Sequence, residues 1–101
     1  MSVQGQAGAS GETSFSKQLI LVNKLGMHAR PAAMFVKIAA RFESEILVEK
    51  DGEEVNGKSI MGLMMLAAGC GSKLLVTAVG ADARKAVEEI EKLIARKFDE
   101  E

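Results

Sequence analysis

From Phe15 onward, apolar and polar positions switch between a period of two and a helical period, with short connections between the segments. Phe15 to Val22 alternates, with Leu19 and Leu21 on one face and Gln18 and Ile20 on the other, which predicts a strand. Ala29 to about Phe42 carries Phe35, Ile38, Ala39 and Phe42 at i, i+3, i+4 and i+7, one apolar stripe of a helix. Pro31 is compatible with that helix because it falls in the first turn, where its missing N–H breaks no bond. Glu45 to Lys50 predicts a second strand with Ile46 and Val48 inward, and Asp51-Gly52 a two-residue hairpin turn. Glu53 to Asn56 then returns as a short polar edge strand. Ser59 is a natural N-cap for a short helix to about Ala67, closed by Gly69-Cys70-Gly71. Lys73 to Val79 predicts the last strand, with Leu74, Val76 and Ala78 on one face. Asp82 is the expected cap of a final helix. Its Ala83, Ala86, Val87, Ile90, Leu93 and Ile94 form one stripe, with a Glu88–Lys92 pair outside. The order β-α-β-β-α-β-α implies an α+β fold, a two-layer open-faced sandwich with helices on one face of the sheet.

At 101 residues the chain suits one domain, read as residues 15–101. Met1 to Ser14, rich in Gly, Ser, Gln and Ala without a periodic face, is expected to be a disordered tail. Acidic and basic residues nearly cancel, at a formal net charge of −1, and aromatic residues are scarce, which argues against nucleic-acid binding. No apolar run is long enough for a membrane span, and the start lacks the pattern of a secretory signal, so a cytoplasmic protein is expected. A lone Cys70 cannot form an internal disulfide and is assigned no function. One His and one Cys far apart make a poor metal-ligand set, and no cofactor is implied.

The candidate chemistry lies in Gly26-Met27-His28-Ala29-Arg30-Pro31-Ala32-Ala33, where the only histidine precedes the first helix. A helix start offers backbone N–H groups without intrahelical partners and the positive end of the helix dipole, a seat for phosphate. An imidazole there is expected to be neutral and nucleophilic near neutral pH, so His28 reads as a residue that takes up and releases a phosphoryl group. Arg30, a cation placed against the dipole, is suited to grip phosphate oxygens and offset charge during transfer.

These residues, together with Gly57-Lys58-Ser59-Ile60-Met61-Gly62-Leu63-Met64-Met65-Leu66, resemble HPr, the histidine-containing phosphocarrier family of the bacterial phosphotransferase system. The first segment resembles the family's phosphorylation-site signature and the second its regulatory-serine segment. The resemblance runs from about Phe15 to the C-terminus. It implies a four-stranded antiparallel sheet in the order 1-4-2-3 with three helices on one side. It further implies that Nδ1 of His28 receives phosphate from enzyme I and passes it to an enzyme IIA component. In organisms that encode HPr kinase/phosphorylase, it implies regulatory phosphorylation of Ser59.

A docking surface is expected around this site. Arg30, Met34, Lys37 and Arg41 recur at helical spacing opposite the core stripe and suit an acidic partner. Ile60, Met61, Met64 and Met65 cannot all point inward from so short a helix, and Met side chains suit adaptable contacts. Met27, Ala33, Met34, Lys37, Ile60, Met61 and Met64 are the expected partner-docking residues, on a monomer. Three competing readings remain at this point: a carrier of the nitrogen-related branch, of which the acidic Lys97–Glu101 ending is reminiscent; an allosteric binding module without phosphoryl relay; and a stand-alone enzyme using His28 as general base, which would need a deep pocket.

Overall fold

Alternating side chains build the sheet, and the helical stripes cover one side of it. The structure, a computed structural model, describes residues 13–100. Its elements are β1 (Ser14–Ile20), α1 (Ala29–Ala39), β2 (Glu45–Lys50), β3 (Glu53–Asn56), α2 (Ile60–Met65), β4 (Lys73–Val79), α3 (Ala83–Ala95) and a 3₁₀ turn at Lys97–Asp99. The strands form one antiparallel sheet in the order β1-β4-β2-β3, the order that the resemblance implied. Val76 of β4 pairs with Lys17 on one side and Val48 on the other. Leu19, Ile46, Val48, Leu74, Val76 and Ala78 are buried, while most of their strand neighbours are exposed or half-exposed. A slip of one residue in any pairing would turn these inward side chains to solvent, so burial fixes the register.

Every position of the α3 stripe is buried, and α3 packs on β1 and β4. Full burial of each of its larger side chains contributes about 1.5–3 kcal/mol. On α1, Phe35, Ile38 and Ala39 are buried, whereas Phe42 is half-buried at the edge of the core. The hairpin turn falls at Asp51 and Gly52, both at positive φ (52° and 84°) as a tight turn of this hand demands.

The structure moves several boundaries. The tail expected over Met1–Ser14 lies outside the described residues as far as residue 12, but Ser14 opens β1 opposite Val79. β1 ends at Ile20 because Leu21 leaves the ladder to bond with Ser72 and Gly71. α1 stops at Ala39, where Arg41 and Phe42 donate to carbonyls three residues back and tighten the chain into a turn. α2 stops at Met65, and the left-handed residue after it is Ala67 (φ 51°) rather than one of the glycines.

Two side-chain expectations are also corrected. Asp82 stands at the N-cap of α3, yet its side chain caps nothing there. Its carboxylate instead accepts from the Glu43 and Ser44 backbone N–H groups, both at 3.0 Å, and from the Ser44 hydroxyl. These bonds fasten the loop before β2 to the start of α3, and the Ser44 hydroxyl above all holds the Asp82 pKa below its ordinary value. The Glu88–Lys92 pair does not form; Glu89 lies 3.3 Å from Lys92 and 3.6 Å from Lys85, which lowers its pKa.

Candidate functional site

The loop before α1 is shaped by a position that only glycine fits. Gly26 has φ +72°, and a Cβ there would come within 2.4 Å of the Ala68 carbonyl oxygen and 2.6 Å of Gly69 Cα. The next residue, Met27, donates its N–H to that same carbonyl at 2.8 Å and buries its side chain in the core. The chain thereby reaches His28 with its path set on both sides. The His28 N–H bonds back to the Gly26 carbonyl at 3.0 Å, and the His28 carbonyl accepts from Ala32 at 3.0 Å, the first bond into α1. His28 is thus the N-cap residue in extended conformation, with its ring leaving the cap unfilled. Ala29 and Arg30 precede the first intrahelical donor, so their N–H groups belong to the unpaired set of a helix start.

The ring is held from its far side. Nε2 of His28 lies 2.8 Å from Oε2 of Glu100, whose side chain is mostly buried, while the imidazole is 38% exposed. Oε1 of Glu100 accepts from Nδ2 of Asn23 at 3.1 Å, and the same Nδ2 donates to the Gly26 carbonyl at 2.8 Å. Both partners of that nitrogen are pure acceptors, which fixes the orientation of the buried Asn23 amide. Nδ1 of His28 has no protein partner among the described residues.

Glu100 reaches His28 because the chain after α3 turns back sharply. Lys97, Phe98 and Asp99 all adopt left-handed φ (56°, 56° and 58°), a costly path for residues with side chains. The Phe98 ring is fully buried, and a phenyl group taken from water stabilises by about 1.5–3 kcal/mol, which offsets part of that strain. Arg96 adds an ion pair to Asp99 at 3.0 Å. The C-terminal residues up to Glu100 are therefore part of the domain, not a solvated acidic ending.

The other candidates divide by exposure. Arg30 and Lys37 are exposed on α1 with no ion pair or hydrogen bond among the described residues, Ala33 is exposed, and Met34 is half-buried. Met34, Lys37 and Arg41 border a groove of about 200 Å³ with Arg96 and Leu93 of the C-terminal region. A second groove of about 280 Å³ lies between β1 and α3, and His28 lines neither. On α2, which packs against α1, Leu63 is buried, whereas Met61 is 74% and Met65 68% exposed, with Ile60 and Met64 also at the surface. Met27 departs from the docking expectation: at 4% exposure it is a core side chain, drawn in by its bond to Ala68. Ser59 caps α2, its hydroxyl accepting from the Gly62 N–H at 2.9 Å, and Cys70 is exposed. No described helix is long and apolar enough to cross a membrane, and no cluster of potential metal ligands occurs among the described residues.

Sequence reading missed Glu100 and Asn23, which sit 72 and 5 residues from the histidine they surround. One signal was available. Ile90, Ile94 and Phe98 continue the α3 stripe at intervals of four, which points Phe98 at the core and turns the residues after it back toward the loop.

A family model described as "PTS HPr component phosphorylation site" matches residues 15–96. The phosphocarrier protein HPr of Treponema pallidum is 48% identical over 85 residues, covering 84% of this chain and 97% of that protein. The HPr-like protein Crh of Halalkalibacterium halodurans is 53% identical over 74 residues, covering 73% and 88%. The crystal structure of an HPr from Thermoanaerobacter tengcongensis superposes with a TM-score of 0.83 at 45% identity, covering 86% of this chain and 98% of that one. With the fold, the order of its strands and most of its length in common, this chain belongs to the HPr family of phosphocarrier proteins.

Proposed function

We propose that this protein accepts a phosphoryl group on Nδ1 of His28 from phosphorylated enzyme I and passes it to an enzyme IIA component of the phosphotransferase system. It acts as a covalent carrier between protein partners in the cytoplasm, as a single copy. The observation that supports this most is the histidine ring itself. One nitrogen is engaged by Glu100 at 2.8 Å, and the other has no protein partner among the described residues at the start of α1. Phosphoryl transfer needs little covalent chemistry from the protein and depends on position and electrostatics. Here the position comes from the Gly26 loop, and the electrostatics from first-turn amides and the exposed guanidinium of Arg30.

Enzyme I and the IIA component would dock on the exposed cations of α1 and the Met-rich surface of α2. Ser59 is the regulatory position. A phosphate added there puts negative charge at the margin of the docking surface and lowers affinity for a partner that reads positive charge. A solved relative described as the Bacillus subtilis catabolite repression HPr favours a second, regulatory reading, and the same experiment tests whether this chain relays phosphate at all. Incubation with phosphoenolpyruvate and enzyme I yields acid-labile phosphate on the wild type and none on His28→Ala. Absence of phosphate on both, with enzyme I shown active on another HPr, refutes the relay. Parallel reactions with the sugar-type and nitrogen-type enzyme I identify the branch.

A further inference from the structure

We infer that Glu100 is a positioning residue for phosphoryl acceptance: it holds the imidazole proton on Nε2 of His28 and so keeps the lone pair of Nδ1 available. This inference rests on the phosphoacceptor reading of His28. A neutral imidazole carries one proton, and the hydrogen bond made by one nitrogen decides which of the two bears it. A carboxylate only accepts, so the 2.8 Å contact with Oε2 calls for Nε2–H. The carboxylate cannot turn away easily. Its other oxygen accepts from Asn23, whose amide is pinned by the Gly26 carbonyl, and Phe98 anchors the backbone two residues earlier in the core.

The same contact suits the transfer step. As the Nδ1 lone pair forms a bond to phosphorus, the donor's bond to phosphorus breaks and its electron pair stays with the donor's leaving atom. No proton need move, because Nδ1 carries none. The ring then bears a substituent on Nδ1 and a proton on Nε2 and is cationic, with the Glu100 carboxylate already beside it. In the reverse direction, the electron pair of the N–P bond returns to Nδ1 and restores the neutral Nε2–H ring.

Glu100→Gln tests this sharply. Nδ2 of Asn23 can only donate, so it selects the carbonyl end of the Gln side chain and leaves the NH₂ facing Nε2. Nε2 must then accept, and the proton moves to Nδ1. The measurement is ¹⁵N NMR of the ring in the unphosphorylated full chain, combined with the rate of phosphoryl acceptance from enzyme I. Wild type is expected to show Nε2–H. Glu100→Gln is expected to show mainly Nδ1–H and to accept phosphate at least about tenfold more slowly, in proportion to the rings that still offer a free Nδ1. Glu100→Ala leaves Nε2 to water, which satisfies either tautomer, and is expected to be slowed less than Glu100→Gln. A Gln variant that keeps Nε2–H overturns the inference, as does one that shifts the proton but accepts phosphate at the wild-type rate. Failure of the wild type itself to accept phosphate would instead refute the function proposed for His28, since the tautomer is read without phosphorylation.

Discussion

Gly26→Ala separates the two demands that the histidine loop makes on the chain. The first is conformational: an L-residue held at φ +72° costs ~1–2 kcal/mol. The second is steric, because the new Cβ would lie 2.4 Å from the Ala68 carbonyl oxygen and 2.6 Å from Gly69 Cα, both backbone atoms. Relief requires the two loops to part, which adds about 1–3 kcal/mol of overpacking strain and weakens the Met27–Ala68 hydrogen bond, about 1 kcal/mol more. The sum is ~3–6 kcal/mol, a large part of the ~5–15 kcal/mol that holds a small domain together. At about 4–8 °C per kcal/mol, the Tm should fall by at least ~12 °C. Gly52→Ala is the internal control, since φ is +84° there but no atom lies within 4 Å of the added Cβ. It should lose the conformational part alone, ~1–2 kcal/mol. Urea unfolding of both variants measures the difference directly, and equal losses for the two would refute the close approach of the Gly26 and Ala68 backbones. Because the Gly26 carbonyl receives both the His28 N–H and the Asn23 amide, phosphoryl acceptance should also fall in the folded fraction of Gly26→Ala, but not in Gly52→Ala.

Other consequences follow from the same contacts. Arg30→Ala, at an exposed position without an ion pair among the described residues, should change stability by less than ~0.5 kcal/mol yet slow phosphoryl acceptance about tenfold or more through loss of a charged donor; an unchanged rate counts against its role. Ser59→Ala should lose ~1 kcal/mol with the α2 cap, measured by urea unfolding, and Ser59→Asp should raise the KM for enzyme I more than it affects folding. The native pKa values of Asp82 and Glu89 lie below their ordinary 3.8 and 4.5, so near those values the unfolded chain binds more protons than the folded one. Their stabilisation is thus full above the ordinary values and lost as pH falls through the lowered native ones. Ser44→Ala removes the largest cause at Asp82 and should flatten the acid limb of the stability–pH profile; an unaltered limb refutes this account of the Ser44–Asp82 contact.

The regular elements were legible because each rests on a local repeat. Ile46 and Val48, like Leu74, Val76 and Ala78, fall at intervals of two, and the α3 stripe recurs at helical spacing, so pairing and packing only had to realise what those patterns already specify. The ends were less legible, since they depend on partners distant in the chain. Asp82 looks like a cap from its neighbours, but Glu43 and Ser44 offer it three donors across the fold. Met27 looks like a surface residue of a motif, but the bond of its N–H to Ala68 draws it into the core. Glu100 was the least legible. A carboxylate near a chain end reads as solvated until three consecutive left-handed residues and a buried phenyl ring bring it back to His28.

The relay depends above all on which nitrogen of His28 takes the phosphoryl group. Phosphorylation of ¹⁵N-imidazole-labelled protein by enzyme I and phosphoenolpyruvate, followed by combined ³¹P and ¹⁵N NMR, reads that nitrogen directly. Phosphorus bonded to Nδ1, with the proton still on Nε2 beside Glu100, is the expected result. Phosphorus on Nε2, or on any residue other than His28, would contradict it.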